Sequence, residues 1–262
     1  MNIFQRITEL QANGDPAALC TVTQTSGSVP RHAGAKMLVL ANGEIEGTIG
    51  GGEMENRVRA AALEVLTSGK PQTLSYTLND PAAGDPGVCG GTMEVFVEPI
   101  KGEATLVVVG AGHVGQAVAH LADWLGFRVE VSDDRPDYCR PEVVPEAAAF
   151  HPVQLAELPT SCDITDQTYI VLCTRNVEVD IPGIPALLET PAAYIGVIGS
   201  KRRWATARKK LEQSGVDKVK LDRIVSPMGL EIMAETPQEI AVSILSEILM
   251  RRRGGDGKPM SD

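Results

Sequence analysis

Five short stretches of this chain hold residue types that bind anions, nucleotides or soft metals, and glycine frames each of them: GSVPRHAGAK (27–36), GTIGGGEMEN (47–56), GDPGVCGG (84–91), GAGHVG (110–115) and GSKRR (199–203). Glycine loses more conformational freedom on folding than any other residue, so the run Gly50, Gly51, Gly52 implies an unusual turn or a close backbone approach. Ahead of a helix, such a run can present backbone N–H groups as a nest for an anion. The first stretch sets Ser28, Arg31, His32 and Lys36 around two glycines. In the third, Cys89 stands between Gly87 and the pair Gly90, Gly91, with little side-chain shielding. A thiolate there can ligate a soft metal or carry sulfur, and nearby cations or a helix N-terminus would lower its pKa. The alternative is a buried cysteine acting as a small hydrophobe.

The fourth stretch spaces Gly110, Gly112 and Gly115 between the apolar run TLVVVG and the helical pattern that follows, and Asp133 closes the next apolar run 23 residues after Gly110. This is the context of a dinucleotide fingerprint: a tight turn, a close approach to a pyrophosphate, close helix packing, and an acid for a ribose hydroxyl. His113 either faces the phosphates or is a solvated first-turn residue. Arg135, two residues past the acid, leaves NAD and NADP both open, because a guanidinium accommodates a 2′-phosphate. A Rossmann-like domain that kept its turn without its cofactor is the competing reading. In the fifth stretch Gly199 and Ser200 precede Lys201, Arg202 and Arg203 at a helix start. Three cations there oppose the helix dipole unless an anion sits among them; otherwise the segment is a solvated basic face that continues through Arg208, Lys209 and Lys210.

Two different scaffolds must position these stretches. The first hundred residues read as α+β. An N-terminal helix precedes a strand over 17–25, and Asn42-Gly43 between apolar runs signals a hairpin. A helix is expected from about residue 53 to 67, with Met54, Val58, Ala61, Ala62, Val65 and Leu66 on one face. Strands follow at QTLSYTL (72–78) and TMEVFVEPI (92–100). Beyond PIKGEAT the pattern becomes β-α-β, with continuous apolar strands TLVVVG, FRVEVSDD, TYIVLCT and AYIGVIG typical of a buried parallel sheet. The last helix begins with Thr236 as N-cap and Pro237 at its first position, and ends in arginines that suit its dipole. The expected fold class is therefore α/β: an N-terminal α+β domain (1–100), a Rossmann-like parallel-sheet domain (104–252) and a flexible tail (253–262).

Composition narrows the function classes. A formal charge of −10 and only 4% aromatic residues argue against nucleic-acid binding, which needs phosphate neutralisation and stacking platforms. No apolar run approaches the roughly 20 residues of a membrane helix, and MNIFQRITELQANG lacks the apolar core of a signal peptide. The five cysteines are odd in number and form no CxxC, which points to a reduced cytoplasmic compartment rather than a disulfide framework or structural zinc. Cys20 and Cys173 lie in apolar strands and read as core; Cys139 and Cys162 lie in loops with no companion ligands. The Walker motif, HExxH and the Tyr-x-x-x-Lys pair of short-chain dehydrogenases do not occur.

Taken together, GSVPRHAGAKMLVLANGEIEGTIGGGEME, VCGGTMEVFVEP, LVVVGAGHVGQAVAHLADWLGFRVEVSDDRPDY, YIGVIGSKRR and SPMGLEIMAETPQEIAVSILSEIL resemble the XdhC/CoxI family of accessory proteins for xanthine dehydrogenase, carbon monoxide dehydrogenase and related molybdenum hydroxylases. The resemblance implies a chaperone-like protein, not a turnover enzyme. It would bind the molybdenum cofactor in its molybdopterin form, protect it or help sulfurate it, and insert it into an apo-hydroxylase. The cofactor-binding positions carried across are Gly27, Ser28, Pro30 and Arg31; Gly51, Gly52 and Glu55; Cys89, Gly90 and Gly91; Gly110, Gly112, His113, Gly115 and Asp133; and Gly199, Ser200 and Lys201. Cys89 is the residue for molybdenum or sulfur, and no catalytic residue is expected. The partners implied are an apo molybdenum hydroxylase and a cysteine desulfurase, with a homodimer left open, and NAD(P) or another nucleotide is the open question at the Rossmann turn. Two alternatives remain: an NAD(P)-dependent oxidoreductase and a nucleotide-sensing regulatory module. The chain departs from the family pattern twice. Glu53 stands where many members have a cysteine, and TRNVEVD (174–180) replaces a histidine-containing segment.

Overall fold

The computed structural model describes residues 2–79 and 85–261, and the chain divides into two compact units, Met1–Glu103 and Ala104–Asp262. The first unit is α+β. Helix α1 (Ile3–Asn13) precedes β1 (Ala17–Ser26), β2 (Lys36–Leu40), β3 (Ile45–Gly47), α2 (Gly52–Ser68), β4 (Gln72–Thr77) and β5 (Thr92–Ile100). The strands form one antiparallel sheet in the order β3-β2-β1-β5-β4. Alternation along β5 buries Met93, Val95 and Val97 against Met54, Val58, Ala62 and Val65 of α2, so the strand period and the helix period meet in one core. On the other face Leu10 of α1 packs with Ala17, Leu19 and Leu38. This sheet-on-helix core holds the three glycine-rich loops that follow β1, precede α2 and precede β5.

The second unit is a doubly wound sheet. Its elements are β6 (Thr105–Val109), α3 (His113–Trp124), β7 (Arg128–Ser132), β8 (Ala149–His151), a 3-10 turn (Leu155–Glu157), α4 (Leu158–Ser161) and β9 (Thr168–Leu172). These lead to α5 (Val177–Asp180), α6 (Ile184–Leu188), β10 (Tyr194–Val197), α7 (Lys201–Gln213), α8 (Lys218–Leu221), β11 (Ile224–Val225) and α9 (Pro237–Arg253). All its strands are parallel, in the order β11-β10-β9-β6-β7-β8. The order reverses between β6 and β9, which is the topological switch point of a Rossmann sheet. One face packs on α3 and α9, and the other on the short helices and α7. Strands β8 and β11 escape sequence reading because they have three and two residues, too short to show a period. Helix α9 starts as expected, with Thr236 as N-cap and Pro237 at its first position, and Glu239 completes a capping box with Thr236.

Candidate functional site

In the first unit the three glycine-rich loops touch. Gly27 adopts φ +71, and a Cβ there would lie 3.0 Å from the Gly90 carbonyl oxygen and from the Gly91 Cα. A Cβ on Gly91 would collide with the Ser28 carbonyl, and one on Gly50 would come within 2.6 Å of Pro30 Cγ. The loop carrying Gly27, Ser28, Pro30 and Arg31 is thus flanked by the other two. The third loop is tied to the sheet by Gly90 N–H donating to the Leu78 carbonyl (2.6 Å) and Leu78 N–H donating to the Gly91 carbonyl (2.9 Å); its segment 80–84 lies outside the described residues. Gly91 is buried, whereas Ser28, Arg31, Cys89 and Gly90 are exposed. Space is open where side chains would project at Gly51, Gly52 and Gly90.

The triple-glycine turn does form an anion nest, but the chain fills it from within. Glu55 Oε2 accepts hydrogen bonds from Thr48 Oγ1 (2.6 Å), Gly51 N (3.1 Å) and Ile49 N (3.2 Å). Partial burial pushes this carboxyl up, yet the bonds from Thr48 and from the Ile49, Gly51 and Gly50 amides outweigh that and hold it below the usual glutamate range. The expectation that these amides await an external anion is therefore corrected: the anion is Glu55, one turn into the helix. The remaining donors are the first-turn amides of α2, whose N-cap Gly51 supplies no side-chain bond, and the exposed Ser28 and Arg31.

In the second unit a cleft of about 280 Å³ lies at the switch point, lined by Gly110, Gly112, His113, Asp133, Arg135 and Arg175 among others. Gly110, at φ +98, abuts the Cys173 carbonyl, and Gly115 faces the Gly110 carbonyl so closely that no Cβ fits; open space lies beside Gly112. The side chain of Asp133 is almost wholly buried, and Arg135 spans it. Oδ1 accepts from Arg135 N (3.0 Å) and Nε (2.9 Å), and Oδ2 accepts from Arg135 Nη2 and Ala111 N (both 2.9 Å). A carboxylate offers about four acceptor positions, and these four bonds fill them. In this arrangement Asp133 has no lone pair for the ribose hydroxyl expected of it. The Arg135 guanidinium also stacks 3.7 Å from the Tyr138 ring centroid, and Arg175 grips Asp134 with two bonds of 2.7 and 2.8 Å.

Gly199, Ser200 and Lys201 are not among the cleft-lining residues. They start α7, where Ser200 Oγ accepts from Arg203 N at 3.2 Å as N-cap. Among the described residues, Lys201, Arg202 and Arg203 form no ion pair; Arg203 instead acts at longer range on buried Asp180, whose carboxyl burial pushes up. Asp180 accepts from Thr174 Oγ1 at 2.6 Å, which is where TRNVEVD places its acid. Sequence reasoning missed Asp134, Tyr138, Thr174 and Arg175 as cleft residues; the signal available was their position just past β7 and β9, where parallel sheets bind ligands. Cys173 also lines the cleft. The reading of Cys162 as lacking companions is overturned: its thiol donates to Glu130 Oε2 at 3.3 Å, and His151 Nε2 lies 2.8 Å from the same oxygen.

An antiparallel α+β unit with glycine loops in contact, followed by a Rossmann-like parallel sheet with a charged cleft at its switch point, defines a two-unit α/β protein. The chain belongs to the XdhC/CoxI family: the XdhC Rossmann domain matches residues 106–248, and the XdhC and CoxI family matches residues 10–77. It is 35% identical to the protein called Uncharacterized protein YqeB of Escherichia coli K12, over 98% of this chain and 47% of that one. It is 33% identical to a probable xanthine dehydrogenase subunit of Bacillus subtilis 168, over 62% of this chain and 47% of that protein. The chain thus spans about half the length of these two relatives. The molybdenum cofactor insertion chaperone PaoD of Escherichia coli K12 is 24% identical over 94% of this chain and 86% of its own length. A crystal structure described as a xanthine dehydrogenase from Bacillus halodurans shares the fold, with a TM-score of 0.53 at 22% identity, covering 100% of this chain and 98% of that one. No helix among the described residues is long and apolar enough to cross a membrane.

Proposed function

We propose that this chain binds the molybdenum cofactor and serves the maturation of a xanthine dehydrogenase-like or carbon monoxide dehydrogenase-like molybdenum hydroxylase, protecting the cofactor, aiding its sulfuration and inserting it. The observation that carries the reading is the contact of the loop at 27–31 with the loops at 50–52 and 89–91, the last of which carries an exposed thiol, in a chain related to a protein named as a molybdenum cofactor insertion chaperone. The residues fit the group. Cys89 offers a soft sulfur donor, Arg31 a cation for a pterin phosphate, and Gly90 a bare backbone against which a flat ring can lie. The group would supply the molybdenum centre; the chain's own part is to hold and shelter it. Glu55 repels a phosphate from the triple-glycine turn, so Arg31 and Ser28 are the anion-side contacts. The proposed partners are the apo-hydroxylase and a cysteine desulfurase.

Titration with molybdopterin-form cofactor tests this. Stoichiometric retention is expected, with Cys89→Ser weakening it by at least tenfold, about 1.4 kcal/mol. Retention of no cofactor, together with normal maturation of the cognate hydroxylase in its absence, would sink the proposal. The switch-point cleft supports a second reading, in which the Rossmann unit binds NAD(P) or another nucleotide for hydride transfer or sensing. Calorimetry with NAD and NADP decides it: no heat with either removes the oxidoreductase alternative.

A further inference from the structure

One cluster lies outside all of these roles. Glu130 on β7, His151 at the end of β8 and Cys162 just after α4 place a carboxylate oxygen, an imidazole nitrogen and a thiol within 4.8 Å of one another, the one such trio among the described residues. All three are buried, with 8%, 9% and 6% exposure. We propose that they bind one divalent transition metal of the zinc class through Cys162 Sγ, His151 Nε2 and a Glu130 oxygen. Thiolate, imidazole and carboxylate are zinc's donor set. Zinc–ligand bonds of roughly 2.0–2.3 Å set tetrahedral ligand atoms some 3.3–3.8 Å apart, so the trio closes on an ion by shifts on the order of an ångström.

The surroundings supply the second half of the argument. Ser161 Oγ lies 3.0 Å from His151 Nδ1 and orients the ring with Nε2 inward, while Arg128 Nε donates to the other Glu130 oxygen at 3.1 Å. Such outer partners fix the tautomer and aim of metal ligands. Ser132 Oγ, buried at 1% exposure, has no hydrogen-bond partner in the protein. Ser132 stands two residues from Glu130 on β7 and pairs with His151 across to β8, so strand alternation puts all three on one sheet face. The proton network among Glu130, His151 and Cys162 leaves this hydroxyl orphaned, whereas a water as fourth metal ligand gives it a partner. On binding, the thiol proton leaves to solvent and the imidazole proton shifts from Nε2 to Nδ1, where the N–H stays on the ring and donates a hydrogen bond to Ser161 Oγ. Thiolate and carboxylate then neutralise the dication in its buried site.

The test is metal titration of the full chain after chelation and dialysis, with Co²⁺ as spectroscopic probe and Zn²⁺ by elemental analysis. One equivalent of either ion is expected, with a thiolate-to-cobalt charge-transfer band that Cys162→Ser abolishes and Cys89→Ser leaves intact. The second variant matters because Cys89 is the exposed thiol. Zinc should also raise the melting temperature of the unmutated chain relative to chelator, which keeps the test decisive if Cys162→Ser misfolds. Absence of the band and of any zinc-dependent melting shift overturns the proposal, as does a band that follows Cys89.

Discussion

The two units use glycine for opposite ends. In the first, Gly51, Gly52 and Gly90 face open space and leave Ser28, Arg31 and Cys89 exposed beside bare backbone. In the second, Gly110 and Gly115 press against the chain's own carbonyls, and the charges lining the cleft are spent on each other, Arg135 on Asp133 and Arg175 on Asp134. A surface whose donors have no internal partner is ready for a ligand; a surface of closed ion pairs must first open. This contrast puts the readier chemistry in the first unit and gives the Rossmann cleft an energetic threshold.

The largest effect expected is at the Rossmann turn. Gly115→Ala drives a methyl into the Gly110 carbonyl and should cost about 3 kcal/mol, the upper end of ordinary overpacking, read by urea denaturation. Gly52→Ala meets no atom and bears only the left-handed backbone penalty at φ +71, about 1–2 kcal/mol. Equal losses at the two sites would break the distinction between packed and open glycines.

Arg135→Ala comes next. It removes the two side-chain hydrogen bonds and the positive charge that face a nearly buried carboxylate, while the backbone N–H of residue 135 can still donate. A cost of about 2 kcal/mol is expected from charge-assisted bonds left unmade. The same variant frees acceptor positions on Asp133, so NAD affinity should rise relative to the unmutated chain in calorimetry. An unchanged affinity would show that the ion pair does not gate the cleft.

Glu55→Gln tests the self-filled nest, with an expected loss of about 1 kcal/mol at neutral pH. The Glu55 carboxyl is depressed in the folded state from its ordinary value of 4.5. Its contribution is therefore fully present above that pH and is lost as pH falls through the lower folded value. The variant should lack this part of the acid-side decline in stability, and a decline identical to that of the unmutated chain would show that the nest is not coupled to ionisation.

Much of the architecture was legible because its signals are periodic. The alternation of TMEVFVEPI, the apolar run TLVVVG and the Thr236–Pro237 helix start each encode an element locally, and β5, β6 and α9 lie at those places. The site was legible only as loops. That Gly27 meets Gly90, or Pro30 meets Gly50, depends on strand order in a sheet where β1 lies between β2 and β5, and no local pattern carries that. The Glu130, His151 and Cys162 trio was illegible for the same reason: its members come from two strands and a loop, at spacings set by the crossover from β7 to β8. Asp133 shows a subtler limit. Its position after β7 was readable, but whether Arg135 would offer itself to a ligand or fold back onto the acid is a question of rotamer and distance.

The smallest stability effect belongs to the residue with the largest proposed role. Cys89 is exposed and its side chain makes no hydrogen bond to the described residues, so Cys89→Ser should change folding stability by less than about 0.5 kcal/mol. Cys162→Ser, which alters a buried thiol bonded to Glu130, should exceed that even without metal. On the proposed reading, an exposed thiol in a loop pinned at Gly90 and Gly91 by Leu78 is held for a ligand rather than for the fold. If Cys89→Ser destabilised the first unit as much as Cys162→Ser does the second, Cys89 would be a packing residue, and the contrast between a unit with free chemistry and a unit with paired chemistry would fail at its central member.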